Sequence, residues 1–442
     1  MVMEEEEQTV KLAESCMVTP SDETPMHGLW LTPIDLTWAT TGHIPFLHLY
    51  RSASASASGA GAIDDAFFNV ARLKAALAKA LVAFYPLAGR LGVDAHGRLQ
   101  IDCAGQGALF VVARPDLTVD DFGSSQPSPE LKRLLFPRVE DHSPSLMCGV
   151  QVNFLKCGGV ALGMALHHIA VDATSAFHFF QTWSAISRDG DAAEATLERP
   201  CHDRTLLRPR FPPVVHPDAL TVFCPPNHQT PSRDHSPHAV TNQIFVLSKD
   251  QVAALKRVCA NGVSTFCAVS AHLWRCVCAA RRLHPDATTR LIFPANVRAS
   301  LSPKLPGSFF GNGIIMLGAT GKVRDIASKG QLASVAGRIR GAISRMDDEL
   351  VRSAIDYFEI AGGQTSNQAG SMPETELRVV SWRGMHDADF GRGKPLMVHR
   401  AVQPFAGIAY LMDGVGGSMR ILLSVEAAIV NDLKRLLLHA NF

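Results

Sequence analysis

Long apolar runs are missing from this sequence, and none approaches the ~18 uninterrupted apolar residues of a membrane span. A surplus of either charge is also missing, because 42 Lys and Arg residues oppose 41 Asp and Glu, a net charge of +1. This balance excludes the strongly basic surface of a nucleic-acid binder and the polybasic segment of a membrane anchor. The length of 442 residues predicts two domains with full cores. Only 19% of the residues are charged and 47% are hydrophobic, which excludes a disordered chain or a coiled coil.

Cysteine pairs with the spacing of metal ligands are missing as well. The ten cysteines include no C-x-x-C, and Cys276 and Cys278 lie in a helical pattern, so we expect reduced thiols that pack as small apolar residues. The N-terminus carries four acidic residues at positions 4–7 and lacks the apolar segment of a secretory signal. These absences predict a soluble protein of a reducing compartment.

The chain reads as two halves of mixed strands and helices around a proline-rich stretch. Residues 52–62, SASASASGAGA, are expected to form a flexible surface loop, and Asp64 or Asp65 to cap the helix that follows. Residues 189–238 lack sustained periodicity and predict a long crossover. In the second half, residues 332–358 predict one long amphipathic helix.

A buried strand in the first half is expected to end at two histidines, His167 and His168. Asp172 follows four residues later and precedes an amphipathic helix, and such strand–loop–helix junctions commonly carry sites. His168 has the chemistry of a general base, with Asp172 either orienting its imidazole or pinning the loop through an arginine. Two alternatives stay open at this point: hydrogen-bonded core histidines, and a metal site, for which no third close ligand is evident.

Two short patterns narrow these alternatives. Residues 167–172, HHIAVD, fit HHxxxD, and residues 389–393, DFGRG, differ by one residue from DFGWG. In this order and at this separation they resemble the plant BAHD acyl-CoA-dependent acyltransferases. Further segments resemble that family from about residue 19 to the C-terminus: FYPLAGR at 84–90, FLKCGG at 154–159, DRTLL at 203–207 and LPGSFFGN at 305–312.

The resemblance implies an α/β fold of two similar-sized domains, each a mixed β-sheet flanked by helices as in chloramphenicol acetyltransferase, with a solvent channel between them. We therefore assign residues 1–188 to an N-terminal domain carrying HHxxxD, 189–238 to the crossover, and 239–442 to a C-terminal domain carrying the second signature. The resemblance also implies a monomer that acts on small-molecule substrates in the cytoplasm, without nucleic acid or membrane.

The same resemblance implies roles for individual residues. His168 becomes the general base that deprotonates the acceptor as it attacks the thioester, in a direct transfer without an acyl-enzyme. Trp382 matches a tryptophan beside the reacting carbonyl, whose indole N–H donates to the oxyanion; the alternative is an ordinary buried aromatic. Asp172 is then structural and pairs with Arg298, and Asp389 is structural too.

The co-substrate implied is acyl-CoA, with no further cofactor and no metal. Phosphates need cations and helix N-terminal N–H groups, and Ser248, Lys249 and Lys256 occupy the region where family members bind the nucleotide. The alternative for these three residues is a solvated helix face.

Two substitutions depart from the family pattern. Ala173 stands where the family usually has glycine, and would be strained if its backbone φ were positive. Arg392 replaces the tryptophan of DFGWG and removes an aromatic contact. They leave open a catalytically weakened relative that binds acyl-CoA.

The acceptor is expected to be a cationic amine. Phe46 and His48 stand where shikimate-using members have a small residue and a tyrosine on the acceptor-side strand. Residues 354–376 contain no Arg or Lys, and an acidic approach suits an amine better than a carboxylate. The pattern is most similar to grass hydroxycinnamoyltransferases acting on putrescine or spermidine; tryptamine or agmatine, O-acylation of shikimate or quinate, and merely solvated acids are the alternatives. The acids concerned are Asp356, Glu359, Glu374 and Glu376.

Overall fold

The computed structural model describes residues 11–51, 68–124, 128–143, 145–194, 196–217, 219, 239–259, 262–328, 330–362, 372–385, 387–391, 393–400 and 406–438. The expected surface loop at 52–62, Asp64 and Asp65, residues 195, 218 and 220–238 of the crossover, and Arg392 lie outside these ranges.

The strands form where apolar residues alternate or run continuously, as in VALGMALH at 160–167, which is buried on both faces. In chain order they are β1 Lys11–Val18, β2 Gly28–Trp30, β3 His43–Tyr50, β4 Arg90–Val93, β5 Leu99–Asp102, β6 Ala108–Arg114, β7 Cys148–Phe154, β8 Val160–His167, β9 Val240–Leu247, β10 Thr288–Asn296, β11 Ile314–Lys322, β12 Glu376–Ser381, β13 Met397–Arg400, β14 Ile408–Asp413 and β15 Met419–Glu426.

Most of the longer helices begin at a capping side chain, such as Asn69, Asp172, Ser248 or Ser264, that accepts a hydrogen bond from a backbone N–H of the first turn. The helices are α1 Pro33–Leu36, α2 Val70–Ala83, α3 Asp121–Ser124, α4 Pro129–Leu135, α5 Val139–His142, α6 Ala173–Asp189, α7 Asp191–Glu194, α8 Lys249–Val258, α9 Thr265–Ala280, α10 Val323–Ala327, α11 Leu332–Ser344, α12 Asp348–Ile360 and α13 Val430–Leu438; 3₁₀ helices lie at Tyr85–Ala88, Thr205–Leu207, Val415–Gly417 and Ala427–Ile429.

The first of two compact units contains Met1–Arg204, Ser308–Asn312 and Met385–Val402. Its main sheet has the order β1-β6-β7-β8-β3-β13, in which β6 and β7 are parallel and the other neighbours antiparallel. Helices α2 and α6 pack against each other, and β2-β5-β4 form a small second sheet.

The second unit contains Thr205–Gly307, Gly313–Gly384 and Gln403–Phe442. Its sheet has the order β11-β10-β12-β14-β15-β9, with parallel pairs on both sides of β12 and antiparallel pairs elsewhere. Helix α9 packs against α8, α11 and α13. Each unit is thus a mixed sheet with helices, which confirms the expected fold class.

Three local expectations differ from the structure. The segment around Asp389, expected in the domain 239–442, belongs to the first unit, because β13 pairs with β3 and Phe390 is buried among aromatic rings of that unit. The single helix expected over 332–358 is two helices, since the Asp347 carboxylate caps a new helix by accepting from Leu350 N at 2.9 Å. Helix α2 is capped by Asn69 rather than by an aspartate.

The cysteines within the described ranges, nine of the ten, carry free thiols, as expected. Burial raises the pKa of Cys103 and Cys148 to about 12, so these groups are neutral and apolar in character. Within the same ranges, no helix combines the length and apolar character that crossing a membrane requires.

Candidate active site

The turn between β8 and α6 presents the two histidines. Strand β8 ends at His167, residues 168–170 form a buried turn, and Asp172 caps α6 by accepting from Ser175 N at 2.9 Å. Ala173 is the first helical residue, and among the described non-glycine residues only Arg282 has a positive φ. Alanine is therefore unstrained at this position, and this reason for expecting a weakened enzyme disappears.

The backbone of His168 is fixed on both sides. Its N–H donates to Gly42 O at 2.9 Å, and its carbonyl accepts from Asn312 Nδ2 at 2.9 Å. The imidazole, in a residue 9% exposed, lies under the indole of Trp38 with ring centroids 4.0 Å apart and planes 9° apart. The ring is thus positioned by packing as well as by the main chain.

Burial makes His168 a neutral imidazole over a wide pH range. Desolvation lowers its pKa to about 4 and the charge of Arg400 acts in the same direction, whereas Asp172 and the backbone of His168 and Val171 raise it. A neutral imidazole has a lone pair that can accept a proton, as a general base must.

His167 has a structural environment instead. Its Nδ1 accepts from Ile169 N at 3.3 Å, and its ring meets His43 edge-on at 4.9 Å. Burial, with the neighbouring charges of His43 and His168, lowers the pKa of His167 to about 3. Of the pair, His168 remains the candidate base. Among the described residues, no group of three or more His, Cys, Asp and Glu has the arrangement to bind a metal ion.

A buried polar cluster beneath the turn was missed by sequence reasoning. The Asp35 carboxylate accepts from Asn312 N and Nδ2 at 2.9 and 3.0 Å and from Arg204 Nε at 3.3 Å. Arg204 and Asn312 lie in the DRTLL and LPGSFFGN segments, and Thr32-x-x-Asp35 has the pattern of a helix capping box. The sequence thus marked these residues, but it did not indicate that they contact one another. The cluster ties residues 308–312 to the turn that bears His168.

Trp382 and Arg298 lie in the second unit. Trp382 directly follows β12, is 4% exposed, donates its backbone N–H to Leu411 O at 2.8 Å and meets Tyr410 edge-on. The Arg298 guanidinium is buried against Gly313, where any side-chain carbon would lie 2.8 Å from Nη1. The oxyanion role of Trp382 and the pairing of Arg298 with Asp172 stay predictions.

The second signature forms a closed loop in the first unit. Asp389 Oδ1 accepts from Gly391 N and Gly393 N, both at 2.8 Å, and both glycines have positive φ. Phe390, 2% exposed, packs against Trp183 with ring centroids 4.9 Å apart. Arg188 Nη1 donates to Asp389 O at 3.1 Å and lies 3.8 Å from its carboxylate. These contacts close and anchor the loop, which agrees with the structural role that the resemblance implies.

The predicted acceptor residues divide into buried and exposed ones. Phe46 and His48 on β3 are 1% and 0% exposed, and each ring lies 5.5 Å from that of Phe180 in α6. The structure thus places both in the packing of the first unit. Glu359 is half-buried, and Glu374 is exposed with its backbone carbonyl accepting from Arg281 Nη1 at 2.6 Å.

Residues 354–376 contain no Arg or Lys, but arginines from other parts of the chain contact two of the acids in this segment. The buried Asp356 carboxylate accepts from Arg210 Nε at 2.6 Å and from Val214 N at 2.9 Å. Glu376 lies 4.0 Å from Arg290. Arginines outside the segment therefore neutralise two of the four acids, which weakens the electrostatic argument for an amine acceptor.

The predicted CoA-binding residues lie at the surface of the second unit. Ser248 caps α8, with its Oγ accepting from Gln251 N at 3.1 Å and its N–H donating to Gln251 Oε1 at 2.8 Å. Lys249 and Lys256 are exposed on the same helix. This geometry is compatible with either phosphate binding or a solvated face.

Comparisons with known proteins agree with one another. The family model described as Transferase family matches residues 8–431. Putrescine hydroxycinnamoyltransferase 1 of Oryza sativa subsp. japonica is 43% identical over 427 residues, 92% of each chain. Shikimate O-hydroxycinnamoyltransferase of Nicotiana tabacum is 36% identical and aligns with 95% of this chain and 97% of its own. The crystal structure of vinorine synthase, 24% identical, superposes with a TM-score of 0.74 over 97% of this chain and 98% of its own, a likeness of fold.

Proposed function

We propose that this chain, which belongs to the Transferase family of acyl-CoA-dependent (BAHD) acyltransferases, moves a hydroxycinnamoyl group from CoA to an aliphatic polyamine. The acyl group would be p-coumaroyl, caffeoyl or feruloyl, the acceptor putrescine or spermidine, and the product a phenolamide of plant specialised metabolism. The observation that carries the proposal is a buried, neutral His168 in a chain 43% identical to a rice putrescine hydroxycinnamoyltransferase.

The reaction is a direct transfer in a ternary complex. An aliphatic ammonium first loses one proton to water, because its pKa is near ~10 and only the free amine is nucleophilic. The amine nitrogen then attacks the thioester carbon while His168 takes its second proton. The C–S bond breaks, and the imidazolium returns that proton to the departing sulfur, giving the amide and CoA thiol. The Trp382 indole N–H is proposed to donate to the transient oxyanion.

The other predicted residues have supporting roles in this proposal. Asp172 caps α6 and fixes the turn, and its proposed pairing with Arg298 would add a second anchor. Ser248, Lys249 and Lys256 are proposed to bind the phosphates of acyl-CoA, the one co-substrate besides the amine. We further propose that the enzyme is a cytoplasmic monomer that requires no metal.

Glu359 and Glu374 are the proposed acceptor-binding carboxylates. Each would attract an ammonium group of the polyamine. Phe46 and His48 would influence the acceptor side through the packing of β3. The second candidate acceptor is shikimate, favoured by the 36% identity to the tobacco shikimate transferase.

A product assay tests the proposal. Wild type, His168→Ala and the exposed-surface control His96→Ala are incubated with p-coumaroyl-CoA and an equimolar mixture of putrescine, spermidine, agmatine, tryptamine and shikimate, and products are identified by mass spectrometry. We expect aliphatic amides from wild type and His96→Ala and none from His168→Ala.

Three results would contradict the proposal at different levels. A shikimate ester or tryptamine amide as the main product overturns the polyamine assignment. Equal product from His168→Ala overturns the assignment of the base. Thioester binding without any product from wild type identifies a catalytically weakened acyl-CoA-binding relative.

A further inference from the structure

An indole ring covers the imidazole of the proposed base. Trp38 and His168 stack nearly parallel, with ring centroids 4.0 Å apart and planes 9° apart, and the two residues are 8% and 9% exposed. Both belong to the first unit. One face of the imidazole is therefore closed by an aromatic surface rather than by water.

The position of Trp38 is set by the cluster beneath the turn. Its backbone N–H donates to Asp35 O at 3.0 Å, directly after α1. The Asp35 carboxylate in turn accepts from Asn312, whose Nδ2 also donates to His168 O. The indole and the base are thus anchored through the same two buried residues, which fixes their separation.

The stacked indole affects how easily His168 is protonated, because the groups around the imidazole act in opposite directions. Asp172, the N-cap of α6, favours the protonated imidazole, whereas burial and the charge of Arg400 on β13 disfavour it. The face of an indole is the negative side of its quadrupole and attracts a cation lying over it. Trp38 therefore offers the imidazolium an attraction that a neutral imidazole gains much less.

We propose that Trp38 is a positioning residue for the acyl transfer, which fixes the ring plane of His168 and stabilises the imidazolium present between proton uptake from the acceptor and proton return to sulfur. This inference rests on the proposed function only for its kinetic consequences. The stacking itself is testable without turnover.

Two substitutions separate the aromatic face from the rest of the side chain. Trp38→Phe keeps an aromatic face and removes the indole Nε1–H, which is buried and has no hydrogen-bond partner among the described residues. Trp38→Leu fills much of the volume and removes the face. We expect kcat to fall about tenfold in Trp38→Leu and less than about threefold in Trp38→Phe. KM for p-coumaroyl-CoA should change by less than about twofold in both.

NMR of protein labelled at histidine Cε1 supplies the measurement that a merely structural role would not change. The His168 signal, identified by its absence in His168→Gln, should show an upfield ring-current shift in wild type and Trp38→Phe that is lost in Trp38→Leu. Followed from pH 7 downward, the pKa of His168 should be lower in Trp38→Leu than in wild type.

Several outcomes would overturn the inference. Equal kinetic losses in both variants would assign the effect to the N–H rather than the face. A loss confined to KM or to melting temperature would indicate general packing. An unchanged His168 titration in Trp38→Leu would exclude stabilisation of the imidazolium. If wild type forms no acyl product, the proposed function fails, and the NMR titration still decides whether Trp38 acts on His168.

Discussion

The turn at residues 167–172 and the loop around Asp389 each contain an aspartate that accepts backbone hydrogen bonds, but the two segments position different side chains. In each, an aspartate closes the backbone: Asp172 accepts from Ser175 N, and Asp389 accepts from Gly391 N and Gly393 N. The ring that each segment positions is different. The turn positions an imidazole whose lone pair can take a proton, whereas the loop packs Phe390 in an aromatic core.

The aspartate of each motif fixes the backbone, and the neighbouring ring determines whether the segment can take part in chemistry. The aspartates fix local backbone in both segments, so their presence does not distinguish a site from a scaffold. The distinction comes from whether the neighbouring ring is titratable and how its environment sets its protonation. The following experiments test that distinction, beginning with the largest expected effect.

Replacement of the imidazole should abolish rate and leave the fold. His168→Ala removes the proton acceptor, so we expect kcat to fall by about 10²–10⁴-fold. The melting temperature should stay close to wild type, because the turn is fixed by the Gly42, Asn312 and Asp172 contacts, which survive the substitution. Steady-state kinetics and thermal unfolding on the same preparation measure both quantities; a large fall in melting temperature would place His168 with the scaffold.

Replacement of the loop ring should do the reverse. Phe390→Ala leaves a cavity among Tyr50, Phe68 and Trp183, and we expect the free energy of unfolding to fall by about 3–5 kcal/mol. Urea unfolding measures the loss, and Phe390→Leu serves as the milder control. The kcat of the remaining folded enzyme should stay within about threefold of wild type; a selective loss of kcat without loss of stability would give the loop a direct role in the reaction.

The sequence predicted the local features of the turn, but it did not predict the long-range contacts around it. Strand β8, the amphipathic α6 and the candidate base His168 were predicted from periodicity and from one short motif, because both depend on residues close in the chain. The Trp38 stack and the Asp35–Arg204–Asn312 cluster join residues up to 277 positions apart, as between Asp35 and Asn312, and no local pattern reports such contacts.

The charge pattern of the sequence predicted the local electrostatics poorly, because ion pairs also join residues far apart in the chain. Residues 354–376 look base-free in sequence, yet Arg210 and Arg290 neutralise Asp356 and Glu376 from elsewhere in the second unit. Helix boundaries failed at one position, Asp347, where a cap interrupts a continuous apolar pattern. The possible strain at Ala173 was inferred from the glycine that the family usually has at this position. The helical backbone of Ala173 shows that no glycine is needed there.

Removal of the loop carboxylate should have a moderate effect on stability. Asp389→Ala leaves the N–H groups of Gly391 and Gly393 without their shared acceptor, and we expect the free energy of unfolding to fall by about 1–2 kcal/mol. Asp389→Asn keeps one side-chain carbonyl oxygen as acceptor and should recover most of the loss. Equal losses in Ala and Asn would show that the charge, through Arg188, matters more than the backbone closure.

Acid should loosen the turn before the loop. His167 and His168 are neutral in the folded turn, with pKa lowered to about 3 and 4 by burial, whereas an exposed histidine titrates near 6.5. The open state therefore binds more protons than the closed state below about pH 6.5, and the closed turn loses stability as the pH falls towards 4.

Hydrogen exchange measures this difference at the level of single segments. After correction for intrinsic rates, protection of amides at 166–173 should fall at least about tenfold between pH 7 and pH 5, and protection at 388–391 and 393–394 should change much less. His167→Gln removes one of the two titrating rings of the turn and should reduce that fall. Equal loss of protection in both segments would mean that acid acts on the first unit as a whole, and that the histidines do not distinguish the turn from the loop.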